Sequence, residues 1–439
     1  MKASSGEERE RKENQDPAAS LWSVREHLTN SIRGKLNKLL PSHSSNCIYR
    51  VPETLRKVNG EAFTPRLVSI GPLHVDKSQL QAMEEYKLRC LKSFFDSNVD
   101  ILAMLDFIVG EEETIRRHYQ DKSGLSSDAF SEMILLDSVF IVQLLLKSEN
   151  DGIFDKRWMK RDLLHDLMLL ENQIPLCVPH TIYAKYSRRS NGKFFGDLIH
   201  DYLKESSNAP SLPMQVVPTG SNPPRHLVEY LRMAYIPDPG TETRPTEEKS
   251  KFEHSRSATE LLQAGVKFKA ATETKRLVQI DFKEGVLTIP QLKVNEWTET
   301  FFRNLIAFEQ CERTSPRYIS DYIIFMDDLI NTPKDVDVLK KYKIIENSLN
   351  DSEEVSNLFN NLHKEPIFDG KDFYFAQTTR ELNEYSKNIW HQWKAKWFNW
   401  KAILKRDYFG SPWTAISLIA AIVLLVLTVV QTACSVLSL

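Results

Sequence analysis

Three carboxylates stand inside otherwise apolar stretches. Asp137 interrupts the run Met133, Leu135, Leu136, Val139, Phe140, Ile141. Glu171 lies in Leu169-Leu-Glu-Asn-Gln-Ile-Pro175, beside Asn172 and Gln173. Glu309 closes Phe301-Phe-Arg-Asn-Leu-Ile-Ala-Phe-Glu-Gln310, which also holds Arg303 and Asn304. Burial raises a carboxyl pKa, and a raised carboxyl can work as a general acid or base near neutral pH. One reading is therefore a carboxylate-based enzyme built on Asp137, Glu171, Arg303 and Glu309. The competing reading is architectural: these groups cap helix ends and pair with Arg303 inside a helical core, as buried polar groups must. Three carboxylates without a nucleophile, a metal set or a cofactor loop specify no reaction, so the architectural reading is the stronger.

The rest of the chain supplies no missing partner. The Gly-Lys pairs at 34, 192 and 370 are followed by Leu, Phe and Asp, so none is a phosphate loop. There is no Gly-x-Ser-x-Gly, no His-Glu-x-x-His and no Gly-x-Gly-x-x-Gly. The eleven histidines are dispersed, and the five cysteines, at 47, 90, 177, 311 and 434, have no zinc-type or thioredoxin-type spacing. They read as scattered reduced thiols. A formal charge of −2 across 439 residues advertises no nucleic-acid partner. No catalytic, cofactor-binding or metal-binding residue is assigned, and no cofactor is expected.

The elements that would position these residues are mainly helical. Residues 1–20 read as a disordered tail, and 21–45 as an amphipathic helix with Leu21, Val24, Leu28, Ile32, Leu36 and Leu39 on one face and Arg25, Arg33, Lys35 and Lys38 around it. Packing on its own domain is the first expectation for this helix and an anionic membrane surface the second. Cys47 to His74, broken by Pro52, Pro65, Gly71 and Pro72, is extended and turn-rich. Helices are expected over Gln79–Phe95 and Ile101–His118. Asp128 is expected to cap Ala129–Lys147, which is apolar nearly all round and belongs at the centre of a bundle. Arg161–Asn172 should be helical up to the approach of Pro175. Residues 206–257 hold eight of the twenty prolines and read as a connection or insertion around a short helix, Arg225–Tyr235. Ala258–Ala264 is a helix stopped by Gly265. Arg276–Lys283 and Val286–Ile289, turning at Glu284-Gly285, form one small β-hairpin. Helices follow over Glu299–Gln310, Tyr318–Ile330, Pro333–Ile345 and Ser352–His363, with starts signalled at Thr332-Pro333 and at Asp351-Ser-Glu-Glu354. Phe373 to about Asp407 reads as one long helix.

From Pro412 to Leu439 the chain carries no charge. A bilayer core needs about 20 apolar residues in a helix. Residues 411–434 are accordingly expected to span a membrane through Trp413, Ile416, Leu418, Ile419, Ile422, Val423, Leu424, Leu425, Val426, Leu427, Val429 and Val430, leaving 435–439 on the far side. Trp397, Trp400, Lys401, Lys405 and Arg406 precede it as an interfacial collar. Their positive charge places the helical domain, 46–410, in the cytosol. The bilayer is then one partner, with protein partners of unspecified identity and self-association left open. A single uncharged helix offers no ion path of its own.

The same stretches carry a resemblance. Cys47-Ile-Tyr-Arg-Val-Pro-Glu-Thr-Leu-Arg56, Val68-Ser-Ile-Gly-Pro-Leu-His74, Leu169–Pro175, Ala258-Thr-Glu-Leu261, Phe302–Cys311, Phe325-Met-Asp-Asp-Leu-Ile-Asn331 and the tail from Pro412 to Leu439 resemble, in order, the plant family called "domain of unknown function 247". The chain departs from the family pattern at Val75, where a second His is usual, and at Asp137-Ser-Val-Phe140, where Asp-Gly-Cys-Phe is usual. The resemblance implies a single-pass plant membrane protein, most simply at the plasma membrane, with a large helical cytosolic domain and no established enzymatic activity. Some grass relatives are implicated as self-incompatibility determinants, which implies recognition or signalling. It carries over no catalytic residue.

Overall fold

The computed structural model describes residues 17–37, 46–95, 100–121, 123–146, 156–187, 193–205, 223–237, 252–271, 276–312, 316–362, 364, 373–387, 423–428 and 430–432. The chain divides into two units, Met1–Asn46 and Cys47–Leu439. The first holds α1 (Pro17–Asn37), which starts before the expected boundary at 21, so residues 17–20 are helical rather than tail. Its described apolar side chains Trp22, Leu28, Ile32 and Leu36 are all exposed.

The second unit begins in the turn-rich segment, with α2 (Glu53–Arg56) and two short 3-10 turns. Then come α3 (Ala82–Phe95), α4 (Ile101–Gly110), α5 (Glu112–Arg116) and α6 (Ser127–Leu146). α6 is the axis of this half: α3, α4, α8 (Cys177–Ser187) and α9 (Phe195–Glu205) pack around it. It is long and apolar enough to cross a membrane, but 78% of its apolar window is buried in protein, so it serves as core. Its cap is Ser126, whose Oγ accepts the Ala129 N–H at 3.3 Å, in place of the expected Asp128. α8 and α9 were not legible as periodic patterns.

Helix α7 (Arg157–Leu167) stops five residues short of the expected Asn172. The reason is local. The Asn172 and Gln173 side chains donate to the carbonyls of Asp166 and Leu167 at 3.0 and 2.8 Å, so side chains replace the next helical turn.

The other half is built on α10 (Leu227–Tyr235), α11 (Ala258–Gln263), α12 (Thr298–Cys311), α13 (Tyr318–Leu329), α14 (Pro333–Lys341), α15 (Ser352–Leu362) and α16 (Ala376–Lys387). α12 packs on α10, α13 and α15. Thr332 and Asp335 form a capping box with Pro333 at the first turn, as the sequence signals. Gly265, at φ +94°, ends α11 with Val266 N–H bonding Leu261 O. α14 is shorter than expected. Lys343 takes φ +58°, Ile344 N–H reaches Leu339 O, and the chain leaves as a strand.

There is more β structure than the single expected hairpin. β2 (Asp281–Lys283) and β3 (Val286–Ile289) pair antiparallel through Glu284-Gly285, both at positive φ. The first strand is cut to three residues because Leu277 and Val278 lie in a turn. β1 (Lys267–Ala270) joins β3 in parallel, and β4 (Leu292–Val294) pairs with β5 (Ile345–Asn347). Beyond the short expected hairpin, these parallel pairs depend on segments brought together by packing.

Among the described residues the architecture is mainly helical. Most of the expected connection over 206–257, the continuation of α16 with the collar Trp397, Trp400, Lys401, Lys405 and Arg406, and the anchor positions Trp413, Ile416, Leu418, Ile419, Ile422 and Val429 lie outside them. Within the expected span only a short apolar helix, Val423–Thr432, is described.

Candidate functional site

The turn-rich segment poses a strict requirement. Val51 and the run from Thr64 to Gly71 are in neither helix nor sheet, yet Val51, Val68, Ile70 and Gly71 are buried, and buried backbone groups need partners. The partners are side chains from α3, α6 and α7 and from the stretch after α7. Asp166 accepts the N–H groups of Arg66, Leu67 and Val68 at 2.8, 2.7 and 2.8 Å. Asn172 Oδ1 accepts Ile70 N–H at 2.8 Å, and Asp137 accepts Gly71 N–H at 2.7 Å. From the other side, Lys87 Nζ donates to Ser69 O at 2.6 Å and Asn172 Nδ2 to Val68 O at 3.0 Å. Gly71 has φ +73°, and a Cβ there would lie 2.4 Å from Gln173 O. Only glycine fits.

Asp137 also pairs with Lys87 at 2.6 Å, and both are essentially buried. Burial works against the Lys87 ammonium, but the carboxylates of Asp137 and Glu84 outweigh it and hold its pKa above the usual lysine value. Burial also raises the Asp137 carboxyl, as expected of a buried acid, against the pull of Lys87 and the Gly71 N–H. The charged pair is the form this surrounding supports, because Lys87 Nζ faces three oxygen acceptors, on Ser69, Glu84 and Asp137.

Glu171 accepts Val51 N–H at 2.7 Å, and lies 2.6 Å from Arg56 and 3.3 Å from His74. Burial alone would raise this carboxyl. Its bonds with His74, Arg56 and Val51 outweigh burial and bring it down to about 2. The raised carboxyl expected of a general acid is therefore reversed at this position. His74 is lowered, chiefly by burial.

Glu309 belongs to the other half. It pairs with Arg232 at 2.8 Å, and it accepts the N–H groups of Ile319 and Ser320 at 3.1 and 2.9 Å. It thereby caps the start of α13 from the neighbouring α12. Arg303, expected as the shared partner of the three carboxylates, instead binds Glu299 one turn away at 2.8 Å. Each carboxylate has its own cation and its own backbone donor.

The amides completing this hub escaped sequence reasoning as functional atoms, although Asn172, Gln173 and Asn304 were visible as polar residues in apolar runs. Gln173 Nε2 donates to Leu167 O and Leu169 O, both at 2.8 Å, while its Oε1 accepts Leu227 N–H at 3.0 Å. One side chain closes α7 and opens α10. Asn304 accepts Leu170 N–H at 2.9 Å and donates to Ala62 O at 2.8 Å, tying α12 to the hub. His226 Nδ1 accepts Glu229 N–H at 3.3 Å, which requires a neutral ring; burial lowers its pKa to about 4.

Chemically, the arrangement is closed. Asp137, Glu171 and Glu309 are each 1% exposed. The adjacent cavity, about 20 Å³ and lined by Ile70, Ile141, Leu144, Leu167 and Ile199, has room for a water molecule rather than a substrate. Cys47, also buried here, has its thiol pushed up to about 12 by burial, far from a nucleophile's range.

These hub segments are among those carrying the family resemblance. The family model described as "Plant protein of unknown function" matches residues 48–427, nearly the whole chain. The chain belongs to this family. It is similar to UPF0481 protein At3g47200 of Arabidopsis thaliana, at 30% identity over 436 residues, covering 90% of this chain and 87% of that protein. It is also similar to Putative UPF0481 protein At3g02645 of the same plant, at 22% identity, covering 88% and 89% of the two chains. No solved structure matches it.

Proposed function

We propose that this protein is a membrane-tethered recognition or signalling module, with its helical body in the cytosol at the plasma membrane and protein partners bound on that body's surface. The observation that carries the tether is the uncharged run from Pro412 to Leu439, preceded by Lys394, Lys396, Lys401, Lys405 and Arg406 against Asp407 alone. Its described part agrees in texture. Val423, Leu424, Leu425, Val426, Leu427 and Val430 are all at least half exposed, unlike the covered side chains of α6.

The non-catalytic half of the reading is supported by the hub. A carboxylate-based enzyme needs carboxyl groups that reach a substrate. Asp137, Glu171 and Glu309 are occupied by Lys87, Arg56 with His74, and Arg232, and by backbone N–H groups. Polar groups spent on holding irregular backbone leave the surface for recognition.

A chain ending at Phe409 tests the tether: it should leave the membrane fraction. Persistent sedimentation with membranes would refute the tail as sole anchor. Proximity labelling with the intact chain tests the second half. A reproducible set of cytosolic-face proteins supports recognition, whereas a metabolic set tracking one substrate overturns it.

A further inference from the structure

α1 presents a second surface of the kind a bilayer takes. Leu28, Ile32 and Leu36 recur at four-residue steps and each is more than half exposed. Trp22 is 69% exposed, and the Arg25 guanidinium lies over its ring at 5.7 Å. Trp with a stacked cation matches the headgroup boundary, where the ring meets acyl chains and the guanidinium meets phosphate. The helix also carries an excess of positive charge. Between Pro17 and Asn37 the chain carries Arg25, Arg33 and Lys35 against Glu26, although the whole protein is at −2.

The uncharged polar residues Thr29, Asn30 and Ser31 do not repel an anionic surface. Thr29 Oγ1 donates to Arg25 O at 2.7 Å, so its hydroxyl is satisfied within the helix. The polar residues are too frequent for a span, which leaves an in-plane position.

We infer that α1 lies in the headgroup plane of an anionic leaflet, as a second and peripheral membrane contact. This rests on the proposed tether, which would hold α1 at high local concentration beside the bilayer. Free inorganic phosphate would share the cations but offer nothing to the apolar side chains, so the occupant is lipid.

The test uses the full chain with excess vesicles of phosphatidylcholine alone or with phosphatidylserine added, and reads two signals. Resistance to alkaline carbonate reports the tail; amide hydrogen exchange over 17–37 reports α1. Exchange should slow about ten-fold or more on the anionic vesicles relative to the neutral ones, and recover in high salt. Arg25→Glu/Arg33→Glu/Lys35→Glu should abolish that slowing and leave carbonate resistance intact. Equal exchange on both vesicle types overturns the inference. So does protection without lipid that grows with protein concentration, which would make the occupant a second copy. Loss of carbonate resistance alone overturns the tether and not the α1 contact.

Discussion

Two runs of this chain look alike in hydropathy and end up in opposite surroundings. Past the exposed Asp128 and Glu132 near its start, α6 is apolar nearly all round and wrapped by four other helices. The terminal run is equally apolar, but the side chains of Val423 to Leu427 and Val430 in its described part are half or more exposed. The difference lies in one residue type. α6 carries Asp137, whose charge is matched by Lys87 and by Gly71 N–H, and such a matched charge presupposes a protein environment. The terminal run has no charge and asks for no partner. An apolar helix whose buried stretch holds an answered carboxylate is core; one with none is free to be solvated by lipid.

The sharpest way to break this contrast is to remove the tail. A chain ending at Phe409 should shift from membrane to soluble fractions almost completely, while retaining the thermal unfolding transition of the intact protein in detergent. A charge at the tail's centre is the milder version. Val426→Asp should reduce membrane insertion, at a cost of about 3 kcal/mol, and leave the body's unfolding temperature unchanged.

On the α6 side, Asp137→Ala leaves buried Lys87 with only the partly exposed Glu84 as counter-charge and Gly71 N–H without its acceptor, and should destabilise the body by about 3 kcal/mol in denaturant titration. Asp137→Leu with Lys87→Met should cost clearly less than Asp137→Ala, because no charge is left stranded. If the double variant is the worse of the two, the pair is more than an answered charge. Gly71→Ala should cost about 2–3 kcal/mol in the same titration, from its left-handed backbone and the contact with Gln173 O.

Acid gives the smallest and most graded effect. The ordinary histidine pKa of 6.5 is lowered to about 4 at His226, so the unfolded chain binds that proton first. Stability is complete above 6.5, falls as pH drops towards 4, and should be lower by about 2 kcal/mol at pH 5 than at pH 7. His74, His118 and His200 are lowered in the same direction. Glu171 adds a later loss, from its ordinary 4.5 down to about 2. Denaturant midpoints between pH 7 and 5 check the first window. Membrane association of the tail should not move across it.

Much of the architecture was legible because its causes are local. Pro at the start of α14, Gly265 after α11 and the Glu284-Gly285 turn act within four or five residues, and each stands where it was expected. The misses share a different cause. α7 stops early because Gln173 and Asn172 fold back on it, and α14 gives way to β5 because β4 lies alongside. No window of sequence contains both halves of the pairing that creates β5.

The sequence by itself therefore determined the mainly helical class and most of its helices, the near-neutral and motif-poor character of the body, and the uncharged run at its end, since composition and short spacing suffice for each. Only the tertiary structure decided what the polar residues inside the apolar stretches do. Asp137 meets Gly71 across 66 positions and Glu171 meets Val51 across 120, while the amides of Gln173 and Asn304 join helices distant in the chain. A buried carboxylate takes its role from whichever backbone N–H and cation packing leaves beside it, and here packing left each carboxylate a donor to hold and a cation to balance it.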